Sequence, residues 1–154
     1  MYTFDGIKFV NQDNGESIVV GDELERVQKV LNLPDEKVIK PDDELAYFSI
    51  DEVVFGELTG KCSFTFEDEE LSQIEYTPSL KGYLSELDKA DRDGLYDCVY
   101  KAYKYFCNYI DNLGFDSVES DDRYTAYLIE DRSVSICIDV DYESVCVTQE
   151  INYE

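Results

Sequence analysis

The chain contains no histidine and no tryptophan, one methionine and only three prolines. The missing histidine excludes the most. It is the side chain whose ordinary pKa lies near neutrality and the commonest metal ligand. Histidine-based proton shuttles, cysteine–histidine or serine–histidine nucleophile pairs and histidine-ligated metal sites are therefore ruled out. Basic residues are the next shortage. Thirteen Lys+Arg face 36 Asp+Glu, a formal net charge of -23 over 154 residues. Direct binding to nucleic acid through phosphates is disfavoured, because negative meets negative. No stretch approaches the roughly 18 consecutive apolar residues of a membrane span. The N-terminus, Met1-Tyr2-Thr3-Phe4-Asp5, lacks the basic region and apolar stretch of a signal peptide. The expectation is a cytoplasmic protein without a membrane partner. The five cysteines have no CxxC spacing and there is no glycine-rich phosphate loop. Cys62, Cys98, Cys107, Cys137 and Cys146 are expected as free thiols, four of them within apolar strand or helix patterns. No cofactor, metal or catalytic residue is expected.

What remains is acidic and foldable. Hydrophobic residues make up 44%, with eight Phe and 13 Tyr, far more than a disordered acidic tail carries. The acidity is thus a property of a folded surface, and the length suits a single domain spanning 1–154.

The residue pattern gives an α+β protein. Ile7–Val10 and Ser17–Val20 read as a hairpin around Asn14-Gly15. Asp22 reads as the N-cap of a helix with Leu24, Val27, Val30 and Leu31 on one face, stopped by Pro34. Strands follow at Ala46–Ile50, Val53–Leu58 and Lys61–Glu67, with a turn at Thr59-Gly60. Glu67-Asp68-Glu69-Glu70 reads as a charged turn into Ser72–Tyr76, with Ile74 and Tyr76 facing inwards. Pro78 to Asp93 reads as a polar linker. A long helix spans about Leu95 to Leu113, with Leu95, Val99, Ala102, Phe106, Ile110 and Leu113 in one stripe, flanked by tyrosines and ended by Gly114. Strands then fall at Arg123–Ile129, Val134–Val140 and Ser144–Glu150. The fold expected is an antiparallel sheet with one long and one shorter helix packed on one face.

The two halves look alike. Each has a helix, a double aspartate (Asp42-Asp43 or Asp121-Asp122), a Tyr-containing strand (Tyr47 or Tyr127) and antiparallel strands joined by acidic turns. This suggests an internal pseudo-repeat, 20–77 and 94–151. The order resembles the tandem helix-plus-sheet arrangement of beta-lactamase-inhibitor-protein-like domains, and the acidity resembles that of toxin-immunity proteins. The resemblance implies a concave sheet face that grips a partner protein. The chain lacks the cysteine pairs of a secreted member, which leaves the general idea of an inhibitory scaffold.

Three chemistries can be weighed on the residues. Carboxylates are too abundant for any one pair to mark a glycosidase-like acid and base. Asp139, Asp141, Glu143 and Glu150 match a calcium loop at positions 1, 3, 5 and 12, but Ser144 stands where that loop needs glycine, and the segment alternates like a hairpin. Cys98 and Cys107 have no base to activate them. The better candidate is an open sheet face. Ser63, Thr65, Glu67, Glu75, Ser135, Asp139, Thr148 and Glu150 alternate away from the apolar positions. Asp68, Glu69, Glu70 and Asp141 lie in the adjoining turns, and Tyr47 and Tyr127 are possible aromatic anchors. Such a face could receive the arginines and lysines of a basic partner. The expected function is non-catalytic: a monomeric or weakly dimeric protein that neutralises a basic partner, as an immunity protein or antitoxin does. A nucleic-acid mimic blocking a DNA- or RNA-binding protein is the alternative, and a carboxylate-dependent enzyme or cation-binding domain is the third reading.

Overall fold

A computed structural model of the chain describes residues 1–79 and 92–152. The linker expected from Pro78 to Asp93 falls largely outside the described residues. The element order is β1 (Tyr2–Phe4), β2 (Phe9–Asn11), β3 (Glu16–Ile18), α1 (Leu24–Leu31), β4 (Leu45–Phe55), β5 (Leu58–Glu67), β6 (Glu70–Pro78), α2 (Arg92–Asn112), β7 (Ser117–Ser120), β8 (Tyr124–Ile129), β9 (Val134–Val140) and β10 (Val145–Ile151). A short 3₁₀ turn at Asp35–Lys37 links α1 to β4. The strands form one ten-stranded sheet in the order β3-β2-β1-β4-β5-β6-β10-β9-β8-β7. Its pairings are antiparallel except β1 with β4. The protein is α+β, as its sequence pattern predicts.

Two three-strand meanders, β4-β5-β6 and β10-β9-β8, meet at the sheet centre. There β6 and β10 pair antiparallel, Tyr76 opposite Val147 and Gln73 opposite Glu150. Strand alternation sends Phe48, Phe55, Phe64, Phe66, Ile74, Tyr76, Ile136, Ile138 and Val147 to one face, where all are buried. α2 packs Val99, Ala102, Phe106 and Ile110 into the same cluster, and α1 adds Leu24, Val27, Val30 and Leu31. The Phe106 ring stands edge-on to Phe55, with centroids 4.8 Å apart. Leu113, assigned to the stripe by its spacing, lies just beyond the end of α2 and is exposed. Tyr103, one of the tyrosines flanking that stripe, is buried with it.

Local details correct the sequence reading. Asp22 does not cap α1. Glu23 occupies the N-cap with no side-chain bond, while Asp22 accepts the Val19 N–H and pairs with Arg26. The helix start is held by the sheet instead, because the Leu24 N–H donates to the Glu69 carbonyl. The helix ends before Pro34, at Asn32 in the left-handed conformation. β4 is one strand rather than two, interrupted by a bulge at Asp51-Glu52. The β4–β5 turn is at Gly56-Glu57, between paired Phe55 and Leu58, and not at Thr59-Gly60. Gly60 lies within β5, paired with Val53 and Pro78, where the Thr77 carbonyl and the Tyr76 ring leave no room for a β-carbon. The short strands β1 and β7 have no counterpart in the sequence reading.

The N-terminal ribbon folds over the buried face. The Gln149 side chain, on β10 and fully buried, accepts the Val20 N–H at 2.9 Å and donates to the Gly6 carbonyl at 2.8 Å and the Ile7 carbonyl at 2.5 Å. One amide thereby satisfies three backbone groups, of which the Val20 N–H and the Gly6 carbonyl are buried.

Charge works against this packing. Among the described residues only two ion pairs between side chains form, Arg26–Asp22 and Lys29–Glu25, both within α1 and its approach. The excess carboxylates repel one another across the surface. Thermal melts between low and about 0.1 M ionic strength, where the screening length is about 10 Å, are expected to show a rising midpoint. A flat or falling midpoint would mean that the carboxylates are neutralised by something other than solvent ions.

Candidate protein-binding face

The second face of the sheet has no helix or strand over it among the described residues. Register places its side chains in rows across the strands. The central row runs Ser49, Ser63, Glu75, Thr148, Cys137 and Ala126 across β4, β5, β6, β10, β9 and β8. The next runs Tyr47, Thr65, Gln73, Glu150, Ser135 and Leu128. A third brings Asp139 between Cys146 and Tyr124. Ser63, Thr65, Glu75, Ser135, Asp139, Thr148 and Glu150 therefore do share one face.

Tyr127 does not. It pairs with Ile136 on the buried face, is fully buried, and its hydroxyl donates to the Asp111 carboxylate at 2.8 Å and the Cys107 carbonyl at 3.2 Å under α2. It is a structural tether of the helix. Tyr47 points the other way and is 43% exposed. Cys137 and Cys146 also depart from expectation. They lie half-buried on the open face rather than in the core, whereas Cys62 is buried as expected.

The acidic turns bracket the face from opposite ends. Because β6 and β10 are antiparallel, the β5–β6 turn at Asp68-Glu69 adjoins one end and the β9–β10 turn at Asp141–Ser144 the other. Glu67 and Glu70 close the first turn as a cross-strand pair of like charges. Asp68 and Glu69 have φ of 51° and 66°, the left-handed region that glycine or asparagine fills most easily. Acid is kept there in spite of the conformational cost. Glu69→Gly is expected to stabilise the fold by about 1 kcal/mol, measured as a shift of the urea midpoint. A destabilised variant would show that the glutamate side chain itself supports the turn.

The supposed calcium loop is a hairpin turn. Asp141 accepts the N–H groups of Glu143 and Ser144, each at 2.8 Å. Those bonds hold its carboxyl below the usual range, the wrong direction for a general acid. Among the described residues no cluster of three or more Cys, Asp or Glu is placed to hold a metal.

Several buried thiols and phenols are held neutral. Burial raises Cys146 to about 11 and Tyr103 to about 12, and it pushes the Cys62 thiol and the Tyr76 phenol up as well. Their protonated forms are favoured in the folded state. This contribution is complete below the unfolded-state pKa values, near 9 for the thiols and 10 for the phenols, and is lost as pH rises through the higher folded values. Chemical denaturation at pH 8 and at about pH 10.5 is expected to show clearly lower stability at the higher pH, and equal stabilities would contradict it. A raised thiol pKa also means little thiolate, so Cys107 and Cys137 are poor nucleophiles.

Comparison with family models, with curated proteins and with solved structures finds no match.

Proposed function

We propose that this protein is a non-catalytic acidic binder that neutralises a basic partner protein by covering its working surface, in the manner of an immunity protein or antitoxin. The observation that supports this most is the combination of a net charge of -23 with a broad sheet face that no described element covers. A nuclease or another nucleic-acid-binding toxin presents a positive groove built for phosphate. A folded anion fills such a groove by charge complementarity. Asp139, Glu75 and Glu150 lie on the face, while Glu67, Asp68, Glu69, Glu70 and Asp141 extend the negative field at its two ends. Tyr47 offers an exposed ring at its margin.

The reading includes a cytoplasmic location, consistent with five free cysteines, and a monomer or weak dimer, since like-charged copies repel. The meeting of two meanders at β6 and β10 supports the internal duplication of 20–77 and 94–151. Affinity capture from the native host with identification of the bound protein is the test. A basic toxin or nuclease is the expected partner. A host or foreign nucleic-acid-binding protein would point to nucleic-acid mimicry, and capture of nothing basic would overturn the proposal.

A further inference from the structure

The two edges of the sheet differ. β3 forms one and β7 the other. α1 lies beside β3, and the Arg26 guanidinium donates to the Ser17 carbonyl at 3.0 Å. Nothing among the described residues pairs with the outer side of β7, where an antiparallel strand aims the N–H and C=O groups of alternate residues away from its neighbour. All four residues of β7 are exposed, Val118 by 57%. The strand is short, bulged between Ser117 and Glu119, and charged, the devices that keep copies of a chain from adding to an edge. Charge, though, discriminates between comers. Asp116, Glu119, Asp121 and Asp122 are exposed around this edge. They repel a second copy of net charge -23 and attract a cationic strand.

A cavity of about 240 Å³ opens beside the same edge, between β7 and α2. Its floor is hydroxyl. Tyr103 and Thr125, both buried, bond one another at 2.7 Å, and Ser120 reaches Thr125 at 3.3 Å. Asp111 stands in the wall. One of its carboxylate oxygens accepts from Tyr127, and the other has no partner among the described residues. Lys104, the one cation of the lining, holds its ammonium over the Tyr100 ring. On the other side of the sheet, Glu119 pairs with Ala126 and so extends the Ser49-to-Ala126 row of the open face by one residue.

We infer that β7 takes an extended basic segment of the partner as an eleventh strand, with one basic side chain in the cavity on Asp111 and the next along the segment on Glu119. The inference rests on the proposed binding of a basic protein. Successive residues of a strand point to opposite faces, so two adjacent basic residues reach both carboxylates at once. Main-chain bonds along the edge supply affinity, and the cavity and Glu119 select the cationic side chains.

The test uses an acetylated, amidated peptide, Val-Lys-Lys-Val-Lys-Val, and its fully N-methylated analogue. The two are equal in charge and side chains, but the analogue has no N–H to give an edge. Both are titrated against the full chain by calorimetry, at low salt and at about 0.15 M ionic strength. The parent peptide is expected to bind about tenfold more tightly than the analogue. Asp111→Asn with Glu119→Gln should weaken it more than Glu16→Gln with Glu36→Gln, which change the net charge equally elsewhere. Amide exchange of the unaltered chain gives a readout that does not depend on a variant folding. The parent peptide should slow it at β7 and leave β3 unchanged. Equal affinities for the two peptides, with steep salt dependence, would overturn strand addition and leave the acidic-binder reading intact. Failure of both to bind, or binding indifferent to salt, would overturn that reading as well. Slowing at β3 instead of β7 would overturn the inference. So would slowing at β7 that grows with protein concentration in the absence of peptide, since a second copy would then occupy the edge.

Discussion

Reversing Glu75, Asp139 and Glu150 to lysine together is expected to slow association with the basic partner by about 100-fold at low salt. These side chains share one uncovered face of the sheet, so the reversal replaces attraction with repulsion where the partner must arrive. The same number of reversals at Glu16, Glu25 and Glu36, on β3, on α1 and beyond it, changes the net charge equally but should cost about tenfold or less, through the long-range field alone. A reversal of Glu67, Asp68, Glu69 and Glu70 should fall between the two, because that turn adjoins one end of the face. The comparison must be made by association kinetics, since steering acts on the on-rate more than on dissociation. Equal losses in all three sets would reduce the account to overall charge and remove the face from it. Asp88 and Asp91, in the expected polar linker, lie outside the described residues and do not serve as the control.

The second large effect is on stability. Gln149→Leu is expected to destabilise the protein by about 3–5 kcal/mol. The substitution leaves the Val20 N–H and the Gly6 and Ile7 carbonyls without their partner, and each buried unpaired group costs about 1–3 kcal/mol. Gln149 is the buried pin between the N-terminal ribbon and the central strand β10. The ribbon should therefore loosen before the meanders do. Hydrogen exchange in the variant should speed first at Val20 and the hairpin, while β5 and β6 stay protected. A loss below about 1 kcal/mol would mean that water or another side chain takes over those bonds.

How much of this was readable depends on the element. α2 was legible because its apolar residues recur at helical spacing over several turns, and tertiary packing followed that pattern. The hairpins around Asp68-Glu69 and Asp141–Ser144 were legible because strict alternation flanks a charged turn. Other features depend on neighbours distant in sequence. Gly56 and Gly60 are both plausible turn residues; Gly56 takes the left-handed φ of 58° in the turn, while Gly60 is paired within β5. β7 is exposed throughout, so it carries no apolar rhythm to read. Tyr47 and Tyr127 looked alike in sequence. Tyr47 lies between the inward Ala46 and Phe48, which fixes it outward. Around Tyr127 both phases of the strand are apolar, Ala126 and Leu128 against Ile129, and only the packing of α2 assigns the face. Gln149 was hidden for a related reason. A single glutamine in the inward phase of β10 gives no hint that three backbone groups from the N-terminal ribbon converge on it.

The central claim is that a folded anionic face captures a cationic protein, and the dependence of the association rate on ionic strength tests it most directly. With the captured partner, the account predicts an on-rate that falls steeply from low salt to about 0.15 M, while dissociation changes far less. An on-rate that is flat across that range would contradict it.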